Sequence, residues 1–164
     1  MALRRLASAA MMTRLLFCPQ HTLQVILGSS YNASADMWSM ACLVFELVTG
    51  DFLFDPKSGS RFSRDDDHLA QMIELLGNMP RSLCLAGKNA REYFTKDGRL
   101  RHIERLKYWP LRAVLVDKYD LDEEEVRYLY ASMGSWVHGF MGSWVHGFMG
   151  SCTRVALAMR KSDV

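Results

Sequence analysis

The chain has 164 residues, 49% hydrophobic and 23% charged, a balance that suits one soluble globular domain and crowds out two. Twenty Lys and Arg stand against eighteen Asp and Glu, and a net charge of +2 excludes the strongly basic balance of a nucleic-acid binder or of a protein held to an acidic membrane. Cys18, Cys42, Cys84 and Cys152 lie 24, 42 and 68 positions apart, which leaves no Cys-x-x-Cys pair and no zinc spacing and points to a reducing compartment.

The first 35 residues hold Arg4, Arg5 and Arg14 and no acid, so seventeen bases and eighteen acids remain for the rest of the chain. The opening run to Arg14 is Ser/Ala-rich and Arg-bearing, the composition of an unstructured leader or of a mitochondrial transit peptide. From Ser34 the pattern turns helical. Ser34 suits an N-cap, Asp36 sits in the first turn against the positive end of the helix dipole, and Gly50 after Thr49 is a natural stop. Met37 to Val48 is too short for a membrane span of about 20 residues. It is apolar nearly all round, so it requires protein on every side.

A loop is expected over 51–64, broken by Pro56 and Gly59, and a shorter helix over 67–76, ended by Gly77 and Asn78. In that helix Leu69, Met72, Ile73 and Leu76 follow the i, i+3, i+4, i+7 spacing of one buried face, which puts Asp67, Gln71 and Glu74 on the other. The segment 81–112 carries nine Lys or Arg with Tyr93, Phe94, Tyr108 and Trp109. Acids at 92, 97 and 104 interrupt it, and these aromatics are expected to be buried, so direct nucleic-acid binding is not the reading. Short helices are expected over 111–116 and after an acidic entry at 120–125. From Tyr128 to Thr153 no Lys, Arg, Asp or Glu occurs, and the octapeptide Met133 to Phe140 repeats without change as Met141 to Phe148. Two copies of period eight are too few to stack as a solenoid. His138 and His146, with no carboxylate or cysteine between them, make no metal pair.

The run Tyr31-Asn32-Ala33-Ser34-Ala35-Asp36-Met37-Trp38-Ser39 resembles the opening of the central helix in the C-lobe of eukaryotic protein kinases. The series that follows, Glu46 to Asp51, Leu53 to Pro56, Ser63 to His68, Ile73 to Gly77, Leu100 to Ile103 and Val116 to Tyr119, resembles the SR-protein kinases, which phosphorylate serines in Arg-Ser repeats of splicing factors. The likeness spans about residues 25–125. It implies a mainly α-helical, partial kinase C-lobe over 25–127, between a leader at 1–24 and an aberrant tail at 128–164. Asp36 and Trp38 take structural places in that lobe, and the resemblance implies location in cytoplasm and nucleus.

Phosphoryl transfer in kinases needs a Gly-rich loop, a strand Lys, a His-Arg-Asp loop and an Asp-Phe-Gly metal site. This chain contains none of them: no His is followed by Arg, and Asp51-Phe52 continues into Leu53. The N-lobe and the catalytic loop are thus absent from these 164 residues. The ATP and Mg that serve the intact family have no cofactor site or catalytic residue here, so the chain is expected to be inactive. Thr22-Leu23-Gln24 stand where the family has an Ala-Pro-Glu-type element, so its glutamate is a neutral Gln, and the octapeptides replace the region of its arginine partner. Without those neighbours the central helix cannot be fully covered, and marginal stability is expected.

In the family an acidic groove grips Arg-rich peptide. The positions resembling its members are Asp51, Asp67, Glu74 and Lys118, the last suited to a phosphoserine or acid in the peptide. The chain therefore reads as a fragment of an SR-protein-kinase-like Ser/Thr kinase, or alternatively as a non-catalytic docking module for Arg-Ser-rich splicing factors.

Overall fold

The computed structural model describes residues 22–30, 34–127 and 129. Residues 1–21 of the expected leader and the octapeptides with their histidines lie outside the described residues. The described chain is mainly helical, as expected, and its one β contact is an antiparallel bridge between Phe94 and Leu100.

Helix α1 (Leu23–Leu27) buries Leu23, Ile26 and Leu27 and ends at Gly28, whose φ of 65° is left-handed. Helix α2 (Ser34–Thr49) begins at Ser34 itself, so the residue expected as N-cap is already helical, and it stops at Gly50 with φ 78°. Although α2 is apolar nearly all round, only one stripe is covered. Trp38, Ala41, Cys42 and Phe45 are buried at helical spacing, whereas Met40, Leu47 and Val48 are more than 40% exposed. This is the incomplete cover expected of the central helix.

Helix α3 (Arg64–Leu76) begins three residues before the expected Asp67. The cause is a capping box: the Asp66 N–H donates to Ser63 Oγ, and the Asp66 carboxylate accepts from the Ser63 N–H at 2.8 Å. What reads in sequence as a charged loop is therefore a first helical turn, with Asp65, Asp66 and Asp67 at the positive end of the helix dipole. Leu69, Met72 and Ile73 are buried as expected.

Two short helices follow, α4 (Arg81–Cys84) and α5 (Ala90–Tyr93), then helix α6 (Leu111–Asp117), one residue longer than expected, and a helical turn over 123–127. The main core joins α1, α2, α3 and α5 through Leu23, Trp38, Leu69, Met72 and Phe94. Trp38, placed as a structural residue, is 5% exposed, and its ring stacks on Phe54 at 5.5 Å between centroids. A second cluster gathers Phe45, Leu111, Leu115 and Val126, and Leu53 and Leu76 pack against both. The aromatics of 81–112 divide. Tyr93 and Phe94 are buried as expected, but Tyr108 and Trp109 are exposed, because the non-helical segment that carries them is bonded to the α3 residue Glu74 on the surface. No helix among the described residues is long and apolar enough to cross a membrane.

Thr22 and Gln24 show what became of the altered element ahead of Gly28. Thr22 is buried, its hydroxyl makes no cap to α1, and among the described residues neither Thr22 Oγ1 nor Gln24 Oε1 has a hydrogen-bond partner. A buried polar atom without a partner costs about 1–3 kcal/mol. Thr22→Val keeps the shape and removes the hydroxyl, so urea unfolding is expected to show it at least as stable as the parent, by up to about 1 kcal/mol. A loss of stability would mean that the hydroxyl has a partner after all.

Candidate functional site

The amphipathic spacing of α3 places Asp67, Gln71 and Glu74 along one edge, and the structure shows how that edge is furnished. Asp67 Oδ2 accepts the Lys57 main-chain N–H at 2.8 Å and the Gln71 side-chain amide at 2.8 Å, while Gln71 Oε1 accepts the Asp55 N–H. Glu74 Oε1 accepts the Lys107 N–H at 2.7 Å, and the Glu74 carbonyl accepts the Trp109 N–H. Two non-helical segments, 55–57 and 107–109, are thereby tied to the same helix edge. Asp67 and Glu74 each keep a second carboxylate oxygen, Oδ1 and Oε2, with no partner among the described residues. Both side chains are half-buried, so a cation meeting them would be partly shielded from water.

Asp51 and Lys118, sixty-seven positions apart in sequence, meet at 3.2 Å, and Tyr119 completes the cluster by donating its hydroxyl to Asp51 Oδ2 at 2.8 Å. The Lys118 ammonium also donates to the Tyr119 oxygen and sits 4.6 Å from that ring's centre. The hydrogen bond from Tyr119, followed by that from Lys118, holds the Asp51 carboxyl below its ordinary range. Tyr119 was not singled out in the sequence, although its ring also packs edge-on against Phe45 and so anchors the cluster to α2. Of the four docking candidates the structure joins Asp51 to Lys118 and sets Asp67 and Glu74, seven positions apart, on one edge of α3 without contact between them. No contact joins the pairs among the described residues. Asp36 is exposed in the first turn of α2 and makes no hydrogen bond or ion pair among them.

The first turn of α3 holds the polar residue that matters most to the placement of this edge. Asp66 is 3% exposed and takes hydrogen bonds from the Ser63 N–H, the Ser63 hydroxyl and His102 Nδ1, at 2.7–2.8 Å. Burial alone would raise its carboxyl, but His102 and Ser63 outweigh burial and leave the pKa below the ordinary 3.8. Tyr93 donates to the neighbouring Asp65, and burial pushes its phenol up to about 12. The spacing of Ser63 and Asp66 was the available sequence signal for this clamp.

Asp51, in the one Asp-Phe pair of the chain, is already held by Lys118 and Tyr119. Among the described residues no group of three His, Cys, Asp or Glu side chains could hold a metal ion.

Comparison with known proteins places the chain beside a consistent set of kinases. It is 54% identical over 101 residues to Protein kinase dsk1 of Schizosaccharomyces pombe, 50% identical over 104 residues to Serine/threonine-protein kinase SKY1 of Saccharomyces cerevisiae, and 49% identical over 102 residues to SRSF protein kinase 3 of Homo sapiens. These matches cover 62–63% of the chain but only 19%, 14% and 18% of the three relatives, so the chain spans about a fifth or less of their length. No family model matches the chain.

Proposed function

Since about three-fifths of this chain belongs to the SR-protein kinase family, we propose that it is a non-catalytic part of such a Ser/Thr kinase whose remaining activity is to dock Arg-Ser-rich segments of splicing factors. The observation that carries the reading is the edge of α3, where Asp67 and Glu74 each hold one oxygen by a main-chain N–H and offer the other outward. Main-chain anchoring fixes both carboxylates before a ligand arrives, so little side-chain entropy is lost when a guanidinium binds. Arg–carboxylate hydrogen bonds are charge-assisted, and each contributes about 1.5–3 kcal/mol. Asp51 adds negative charge that its ion pair with Lys118 tempers, and a phosphoserine or acid in a docked segment would be the natural partner for the Lys118 ammonium. Inactivity follows from the chain's lack of a His-Arg-Asp loop, an Asp-Phe-Gly site and a phosphate-binding loop, which leaves the electrostatic contribution to phosphoryl transfer unsupplied.

The test is titration of the chain with a labelled Arg-Ser peptide. Asp67→Asn with Glu74→Gln removes both charges yet keeps oxygens to accept the Lys57 and Lys107 N–H groups. This double variant is expected to bind at least about tenfold more weakly, two lost charge-assisted contacts being enough. Asp97→Lys, at an exposed acid elsewhere, is the control and should bind as the parent does. Equal binding by the double variant removes α3 as the docking edge. Transfer of labelled phosphate to the peptide above a heat-killed control would overturn the inactive reading.

A further inference from the structure

The excess of bases in 81–112 is not spread over the surface but gathered. Arg81 from α4, Lys88 and Arg91 from the α5 region, and Lys96 and Arg101 from the turn after it line one open cleft of about 740 Å³ that no acid lines among the described residues. This volume lies within the range of clefts that hold ligands. The chain has nearly equal numbers of acids and bases, yet none of these five cations forms an ion pair among the described residues. Like charges brought together without counter-ions repel, and an anion that shares the site turns that repulsion into attraction.

Two of the five are also held in position. Arg81 Nε donates to the Lys96 carbonyl at 2.7 Å, and Arg101 Nε donates to the Phe94 carbonyl at 3.0 Å. The turn that carries Lys96 is closed by hydrogen bonds between Thr95 and Arg99 and by Gly98, whose φ of 81° is left-handed. Both guanidinium groups are thus fixed through Nε, and their terminal nitrogens have no partner among the described residues. That is the half of the group that meets an oxyanion in a bidentate fork.

We propose that this cleft binds a multiply phosphorylated peptide segment. One phosphoserine carries about −1.5 to −2 charges at neutral pH, so two or three of them balance five cations. Single-stranded nucleic acid fits less well, because its binding sites stack bases on exposed aromatic rings. Phe94, the one aromatic lining residue, is only 1% exposed, and the exposed Tyr108 and Trp109 do not line the cleft. None of the cleft residues belongs to the α3 docking edge, so the two readings stand or fall separately.

The experiment uses the full chain and a fluorescent peptide of alternating Ala and phosphoserine, without Arg, to which the acidic edge cannot contribute. Binding is expected, with none to the unphosphorylated peptide. Arg91→Glu with Lys96→Glu alters two exposed side chains that make no hydrogen bond among the described residues, and it is expected to weaken binding at least tenfold. Arg105→Glu, exposed and outside the cleft, should leave binding unchanged. The proposal is overturned by no binding, by an equal loss in Arg105→Glu, by an RNA of matched charge binding as tightly, or by inorganic phosphate displacing the peptide at similar concentration. The last result would reduce the cleft to a free-anion site.

Discussion

Gly87→Ala is expected to unfold the chain at temperatures where the parent is folded. A Cβ built at Gly87 would lie 2.0 Å from the Leu27 carbonyl oxygen and 2.5 Å from its carbonyl carbon, and these are main-chain atoms that no rotamer change can move aside. The Leu27 oxygen already accepts the Asn89 N–H at 2.9 Å, and the Asn89 side-chain amide reaches the Ile26 carbonyl. Making room for the methyl group therefore opens the loop that closes over α1. Overpacking costs about 1–3 kcal/mol and an unpaired buried carbonyl about 1–3 more, against a net stability of about 5–15 for an ordinary domain. With Met40, Leu47 and Val48 of the central helix exposed, this protein is expected at the lower end of that range. Thermal unfolding followed by circular dichroism should show a midpoint lower by at least about 10 °C, or no cooperative transition at all. Gly50→Ala, where a Cβ meets nothing within 4 Å, should cost much less, its penalty coming from φ alone. Equal midpoints for Gly87→Ala and the parent would mean that the loop is not docked on Leu27.

That contact also marks the limit of what the sequence could reveal. Local signals were legible: the 3.6-residue period gave the buried face of α3, the stop at Gly50 held, and the spacing of Asp67 and Glu74 put both on one edge. The start of α3 was misplaced at Asp67 because the apolar period begins only at Leu69, whereas the helix starts earlier, at a capping box in which the buried Asp66 pairs with Ser63 three residues before it. Tyr108 and Trp109 were expected inside because they fall where a kinase-like lobe would bury them, yet main-chain bonds to Glu74 hold their segment on the surface. Contacts that join distant parts of the chain left no mark in composition or period. Asp51 meeting Lys118 is one such contact, and Asn89 meeting Leu27 is another. For the first pair only the family resemblance supplied the residues. That Asp67 and Glu74 would be anchored by the backbone of Lys57 and Lys107 was beyond any sequence signal, because it depends on where two loops pass.

Asp66→Ala is the other substitution expected to act strongly, and its effect should depend on pH. In the native state the Asp66 carboxylate accepts from Ser63 twice and from His102 once, with its side chain buried, while Ser63 in turn caps the helix through the Asp66 N–H. Truncation leaves the Ser63 N–H and the His102 N–H without their acceptor and loosens the first turn of the helix that carries the docking edge. The Ser63 cap itself survives, since residue 66 keeps its N–H, but each charge-assisted bond contributes about 1.5–3 kcal/mol, so a loss of about 2–4 kcal/mol at pH 7 is expected after partial rehydration. The sign with pH follows from the lowered native pKa. Above the unfolded value of 3.8 the carboxyl is ionised in both states, and its native hydrogen bonds contribute in full. As pH falls below that value, the unfolded chain takes up a proton that the native state still refuses, so stability drops until the native carboxyl is protonated too. Asp51, also lowered, should add to the same acid-side loss and persist in the variant. Urea midpoints measured from pH 7 down should therefore show the parent and Asp66→Ala far apart at neutral pH and converging as pH falls below the unfolded value of 3.8 and on through the lowered native one. A gap that stays constant over this range would show that Asp66 acts by packing alone and that its charge is not what clamps α3 to His102.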